Sequence, residues 1–173
     1  MPLRIEPLGP GHRPLLAGFQ NQHPSLVEYL KRYALRHATR DLLARTFVAI
    51  DDTPSGTRLA GYFSLAAVSV DRAAAERHPN LTRLPRFPIP GGLLARLAVD
   101  TRVQGQGLGR YLFEEALGLT LHLAKAGPVA FRLLIADAID ATAACFYERR
   151  GLVRLGDEHP CRMVLDLRPI LEP

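Results

Sequence analysis

The run Val99-Asp-Thr-Arg-Val-Gln-Gly-Gln-Gly-Leu-Gly-Arg110 constrains the fold more than any other stretch of this chain. The apolar residues 93–99 leading into it read as a strand, and 110–126 leaving it read as a helix. A strand that turns through glycines into a helix gathers successive backbone N–H groups around one concavity, an anion site made of amides and dipoles. Gly105, Gly107 and Gly109 free the backbone of the turn at 104–109, and Arg102 and Arg110 flank it with positive charge. Two familiar nucleotide loops do not fit. The dinucleotide fingerprint counted from Gly105 needs glycine where Arg110 stands, and a P-loop needs Gly-Lys-Ser/Thr at its end. The alternative for this turn is a purely structural one, since glycine turns before helices are common.

The flanking chain sets the fold class. Residues 25–44 read as an amphipathic helix with Leu26, Val27, Leu30, Ala34 and Ala38 on one face and Arg32, Arg36 and Arg40 on the other. Ser25 after Pro24 is its start signal. Strands over 45–50 and 59–70, joined by a turn at 51–58, make a hairpin. The proline- and glycine-rich stretch 71–92 reads as a long irregular connection, the kind that is usually functional inside a compact domain. A strand at 131–136, a helix capped by Asp140 and ended by Gly151, and a last strand at 163–167 complete the pattern. An early hairpin followed by alternating strands and helices implies a mixed sheet flanked by helices in an α/β or α+β domain.

At 173 residues, residues 1–173 form a single domain with a core of its own. The 47% apolar and 23% charged composition is that of a globular chain. Two cysteines, no C-x-x-C, no apolar leader and no long apolar run predict a soluble cytoplasmic protein outside the membrane. The net charge of +5 is unevenly placed. Residues 1–90 hold 12 Lys and Arg against 7 Asp and Glu, whereas the remainder holds 10 of each. The densest basic stretch is Lys31, Arg32, Arg36, Arg40 and Arg45. It reads either as a surface for an anionic partner or as a solvated helix face. The six histidines show no metal-ligand spacing and read as surface or loop residues, so no metal is expected. Cys145 reads as a small buried hydrophobe.

Gln104, Gly107 and Gly109 stand at the spacing Gln-x-x-Gly-x-Gly, and downstream the chain reads Cys145-Phe-Tyr-Glu-Arg-Arg-Gly-Leu152. With the strand before the loop and the Phe-Tyr helix after it, the sequence resembles the GNAT superfamily of acetyl-CoA-dependent N-acyltransferases. Leu152, where the family usually has Phe, is a conservative departure. The resemblance implies a GNAT fold with a central mixed, splayed sheet. It also implies a pyrophosphate cradle formed by Gln104, Gly105, Gln106, Gly107, Leu108, Gly109 and Arg110. In the same pattern the backbone of Leu97, Ala98 and Val99 holds the pantetheine arm, and Tyr147 serves the leaving thiolate. Four further segments are Arg45-Thr-Phe-Val, Gly61-Tyr-Phe-Ser-Leu65, Pro85-Arg-Phe-Pro-Ile-Pro90 and Leu94-Ala-Arg-Leu-Ala-Val-Asp100. Together they resemble the acetyltransferase toxins of bacterial toxin–antitoxin pairs, which acetylate the amino acid on charged tRNA. That closer resemblance implies aminoacyl-tRNA as acceptor and a neutralising, DNA-binding antitoxin as partner. A homodimer is compatible with it, though no residue argues for one.

The chemistry of amine acetylation can be read against these residues. A phenol near pKa 10 facing a thiol near 8.5 gives up its proton about 1.5 units uphill, roughly 2 kcal/mol, so Tyr147 is expected to hydrogen-bond the thiolate rather than to protonate it early. The alternative for Tyr147 is a core aromatic beside Phe146. No carboxylate lies within 93–99 to act as general base, although Asp100, Glu114 or an ordered water could serve. A lysine amine near 10.4 needs such a base at pH 7, whereas an α-amine near 7.7–8.0 is already substantially neutral. Lys31, Arg32, Arg36 and Arg40 would then supply phosphate contacts with steep salt dependence. Two rival functions follow from the same residues. An acetyltransferase for a small amine or a protein N-terminus would turn over without RNA, and a non-catalytic CoA- or partner-binding module would be indifferent to Tyr147→Phe.

Overall fold

A computed structural model describes residues 3–82, 84 and 88–172. In chain order the strands are β1 (Leu3–Pro7), β2 (Arg45–Thr53), β3 (Gly56–Val70), β4 (Ile89–Val99), β5 (Leu133–Ala138), β6 (Val153–Arg154) and β7 (Cys161–Asp166). They form one mixed sheet in the order β1-β2-β3-β4-β5-β7-β6. Pairing is antiparallel for β1 with β2, β2 with β3, and β7 with both β5 and β6, and parallel for β4 with β5. The helices are α1 (Arg13–Leu16), α2 (Pro24–Glu28), α3 (Arg72–Ala75), α4 (Leu108–Ala126), α5 (Ala141–Glu148) and α6 (Arg168–Leu171). The expected mixed α/β class is the one observed.

The chain divides into two compact units, and β3, β4 and α4 each contribute to both. The first unit runs up to Ala66 and takes in Ala95–Ala116. Its core joins Leu26, Leu30 and Ala34 of the expected helix to Val48, Ile50, Leu59 and Tyr62 of the hairpin. Burying a leucine such as Leu30 contributes about 1.5–3 kcal/mol, and four-residue spacing is what brings these side chains onto one face. The helix itself departs from the expectation. After α2 the backbone loosens into π-helical stretches at Tyr29–Ala34 and His37–Asp41. It stops at Leu42, which takes a left-handed φ of 54°, so the helix ends before 44 and leaves Leu42 and Leu43 exposed. The hairpin turn is tighter than 51–58. β2 runs to Thr53, opposite Gly56, leaving Pro54 and Ser55 as the loop.

The second unit comprises Ala67–Leu94 and the chain from Leu117 onward. Val70, Ile89, Leu133, Ile135 and Val164 form its core. The connection 71–92 is less irregular than expected, because α3 occupies Arg72–Ala75 and β4 already begins at Ile89. Pro85, Arg86 and Phe87, part of one resemblance segment, lie outside the described residues. The Asp140 carboxylate accepts the Ala143 N–H at 2.8 Å and caps α5, and Gly151 takes a φ of 86° just past the helix end. This phase buries Ala144 and Tyr147 and turns Cys145 outward, correcting the expectation of a buried thiol. His78 is likewise buried rather than superficial, and its Nδ1 accepts the Asn80 N–H at 3.2 Å.

Candidate active site

The glycine turn is anchored from beneath by Asp100. This carboxylate is 1% exposed, takes Arg102 Nε at 2.7 Å and Nη2 at 2.8 Å, and accepts the Gln20 N–H at 2.9 Å. Burial alone would raise its pKa, but the Arg102 and Gln20 bonds outweigh that and hold it below the ordinary carboxylate range. Arg102 also donates to the Gly18 carbonyl at 2.8 Å, so its charge serves this knot and not an incoming anion. Arg110 meets Glu114 at 2.7 Å in an exposed i,i+4 pair, which leaves both groups in solvent. Of the two flanking arginines, Arg102 is committed to a buried carboxylate, and Asp100 is not a free base.

Past the knot, a 3-10 turn at Thr101–Val103 leads into the exposed stretch Gln104–Gly107. Gly105 and Gly107 adopt φ of 77° and 84°, a region that costs an L-residue about 1–2 kcal/mol. A Cβ added at either would meet nothing within 4 Å, so the constraint is conformational and not steric. Helix α4 starts at Leu108, two residues earlier than expected, which places Gly109 and Arg110 in its first turn. An open, left-handed glycine loop ahead of a 19-residue helix fits a pyrophosphate. The Gln104 side chain is held instead by Gln22 at 2.8 Å and the Val99 carbonyl at 3.2 Å, and Asn21 Nδ2 reaches the same carbonyl at 2.9 Å. Gln20, Asn21 and Gln22 were not singled out in the sequence, because no motif or periodicity marks them. Leu97, Ala98 and Val99 lie on β4 beyond Leu94, whose pairing with Ala136 is the last step of the β5 register.

Tyr147 sits on α5, in the second unit, at 7% exposure. Its ring meets Phe146 edge-on at 5.2 Å between centroids. Burial pushes the phenol up to about 12, against the lowering effect of Arg150 and with the help of Asp137. The hydroxyl is therefore a proton donor in hydrogen bonds throughout the physiological range.

The basic helix borders a groove of about 760 Å³ in the first unit, lined by Arg13, Lys31, Arg32, Arg36 and Arg40 around Leu35. Arg32 pairs with Glu28 at 3.2 Å and Arg36 with Asp41 at 2.6 Å. Among the described residues no carboxylate lies within ion-pair reach of Arg13, Lys31 or Arg40, so these three carry the groove's uncompensated charge. Among the described residues no cluster of His, Cys, Asp or Glu is placed to hold a metal ion, and no helix is long and apolar enough to cross a membrane.

Comparison with known proteins follows the same lines. The family model of the acetyltransferase (GNAT) domain matches residues 43–153. A tRNA-acetylating toxin of Mycobacterium tuberculosis is 33% identical over 132 residues, covering 76% of this chain and 74% of its own length. The crystal structure of a tyrosine-to-phenylalanine mutant of KacT aligns at TM-score 0.86 and 26% identity, over 97% of this chain and 96% of that one. AtaT complexed with acetyl-methionyl-tRNAfMet aligns at TM-score 0.80 and 25% identity, again over 97% and 96%. The glycine loop, the capped Phe-Tyr helix and these matches agree, and the chain belongs to the GNAT acetyltransferases.

Proposed function

We propose that this chain transfers the acetyl group of acetyl-CoA to the α-amine of an aminoacyl-tRNA, acting as the toxin of a toxin–antitoxin pair in the cytoplasm. The observation that carries this reading is the engagement of Asp100. Its carboxylate is buried, bonded to Arg102 and depressed in pKa, so the carboxylate that directly follows β4 is not available as a base. An enzyme built this way suits an amine that needs no strong base, and an α-amine near 7.7–8.0 meets that condition where lysine near 10.4 does not. Similarity to a tRNA-acetylating toxin supports the same acceptor. An antitoxin partner follows from the toxin reading, and residues 1–173 act as one acetyltransferase domain.

Acetyl-CoA supplies, when bound, the thioester carbonyl that the amine attacks. The amides of Gly105–Gly109 would hold its pyrophosphate, and the β4 backbone at Leu97, Ala98 and Val99 would take the arm. Tyr147 would donate its hydroxyl hydrogen bond to the leaving sulfur. With the phenol at about 12 and a thiol near 8.5, full transfer of the Tyr147 proton runs uphill by about 3.5 units, roughly 5 kcal/mol. The proton that finally reaches the sulfur therefore comes from the attacking amine through solvent, and Tyr147 stabilises charge throughout.

The test is acetyl transfer from labelled acetyl-CoA to charged tRNA, uncharged tRNA, free amines and peptides. Label on charged tRNA alone is the expected result. Label on small amines without RNA would replace it with a small-molecule acetyltransferase.

A further inference from the structure

An aromatic seam runs through the first unit from the core to the surface. Phe19 meets Tyr62 edge-on at 5.6 Å, and Tyr62 stacks with Tyr29 at 6.3 Å. Tyr29 meets His37 at 5.7 Å, and His37 meets Tyr33 at 6.0 Å. Phe19 and Tyr62 are fully buried, Tyr29 nearly so, His37 half-buried, and Tyr33 is 39% exposed. Tyr29, Tyr33 and His37 recur every four residues along the helix, directly beside the Arg32, Arg36, Arg40 series. The middle of the seam touches β4. The Arg96 guanidinium lies over the Tyr29 ring, 4.9 Å from its centroid, on the strand that continues into Leu97, Ala98 and Val99.

Two features of this seam are unexplained by packing. The Tyr29 hydroxyl is buried and has no hydrogen-bond partner among the described residues. A buried polar atom left that way costs free energy unless a ligand group completes it. Tyr33 is also 39% exposed, on a helix whose neighbouring positions are cationic. Cations beside exposed rings are what a single-stranded nucleic acid binds, phosphates on the one and base faces on the other.

We infer that Tyr33, backed by His37, is a stacking platform for the unpaired 3′ nucleotides of tRNA, while Lys31 and Arg40 hold the phosphates. The inference rests on the aminoacyl-tRNA reading above and assigns it a positioning residue. Stacking fixes the unpaired 3′ end at the outer, exposed end of the seam, since the inner rings are buried. It is sequence-tolerant, because every base has a face to offer, and it distinguishes an end with unpaired nucleotides from a blunt duplex.

The experiment measures binding of the full chain to an uncharged tRNA and to the same tRNA with its unpaired 3′ nucleotides removed. Wild-type protein is expected to bind the intact RNA about fivefold or more tighter than the trimmed one, the range of a single base–aromatic stack. Tyr33→Ala should bring that ratio close to one, and Tyr33→Phe should keep it. Arg40→Glu should weaken both RNAs equally and lower the slope of log K against log salt by about one or two. A wild-type ratio of one, or a ratio that survives Tyr33→Ala, overturns the inference. Because this readout needs no acetylation, its failure is distinct from failure of the acetyl-transfer assay.

Discussion

Tyr147 shows how an environment changes what a residue can do. In water its proton would lie about 1.5 units from a thiol's, but at 7% exposure and about 12 it is a fixed donor. Replacing it with phenylalanine keeps the ring against Phe146 and removes only the hydroxyl. We expect Tyr147→Phe to lower kcat by about 100-fold with little change in the KM for acetyl-CoA, as for other lost transition-state hydrogen bonds. The sign of its pH dependence follows from the raised value. The protonated form is the active one and persists to about pH 12, so Tyr147 contributes no limb to the rate profile between pH 6 and 10. The rising limb, if the acceptor is an α-amine, belongs to that amine near 7.7–8.0. A falling limb between pH 8 and 10 that vanished in Tyr147→Phe would contradict the assignment.

At the level of elements, the glycine loop and its helix act through backbone conformation. Gly107 has a left-handed φ and open space around a hypothetical Cβ, so Gly107→Ala strains the loop without a clash. The expected cost of about 1 kcal/mol lowers Tm by about 2–4 °C. The KM for acetyl-CoA should rise several-fold while kcat, which we assign to Tyr147 on α5, changes less; a normal KM would remove Gly107 from the cradle. This loop was legible in the sequence because glycines at fixed spacing are a local signal, as were the Asp140 cap and Gly151. β1 and β6 were not legible. Leu3–Glu6 alternates apolar and polar residues over only four positions before Pro7, and Val153–Arg154 is only two residues, so pairing with β2 and β7 is what makes them strands. The π-helical stretches escaped for a related reason, since apolar spacing of four fits both helix types. The ion pair of Arg102 with Asp100 was also hidden. A basic residue in a sequence carries no mark of whether a buried carboxylate has already claimed it.

For the whole molecule, the unequal distribution of charge becomes a statement about which surface RNA senses. Basic residues exceed acidic ones only within 1–90, and in the structure Lys31 and Arg40 lie there free of carboxylate partners among the described residues. Lys125, at the end of α4, belongs to the balanced remainder and is also exposed. Lys31→Glu should therefore weaken tRNA binding by tenfold or more at low salt and flatten its salt dependence, whereas Lys125→Glu should leave it within about twofold. Equal effects would mean that RNA responds to net charge and not to the basic helix.

The outward turn of Cys145 has a practical side. The chain has two cysteines, and Cys161 is buried, with its Sγ donating to the Gly156 carbonyl at 2.9 Å. Cys145 is left as the one exposed thiol among the described residues, two positions before Tyr147 and on the opposite side of α5. A fluorophore or spin label attached there, with no engineered mutation, would report from the helix that carries Tyr147 in real time as acetyl-CoA and RNA are added.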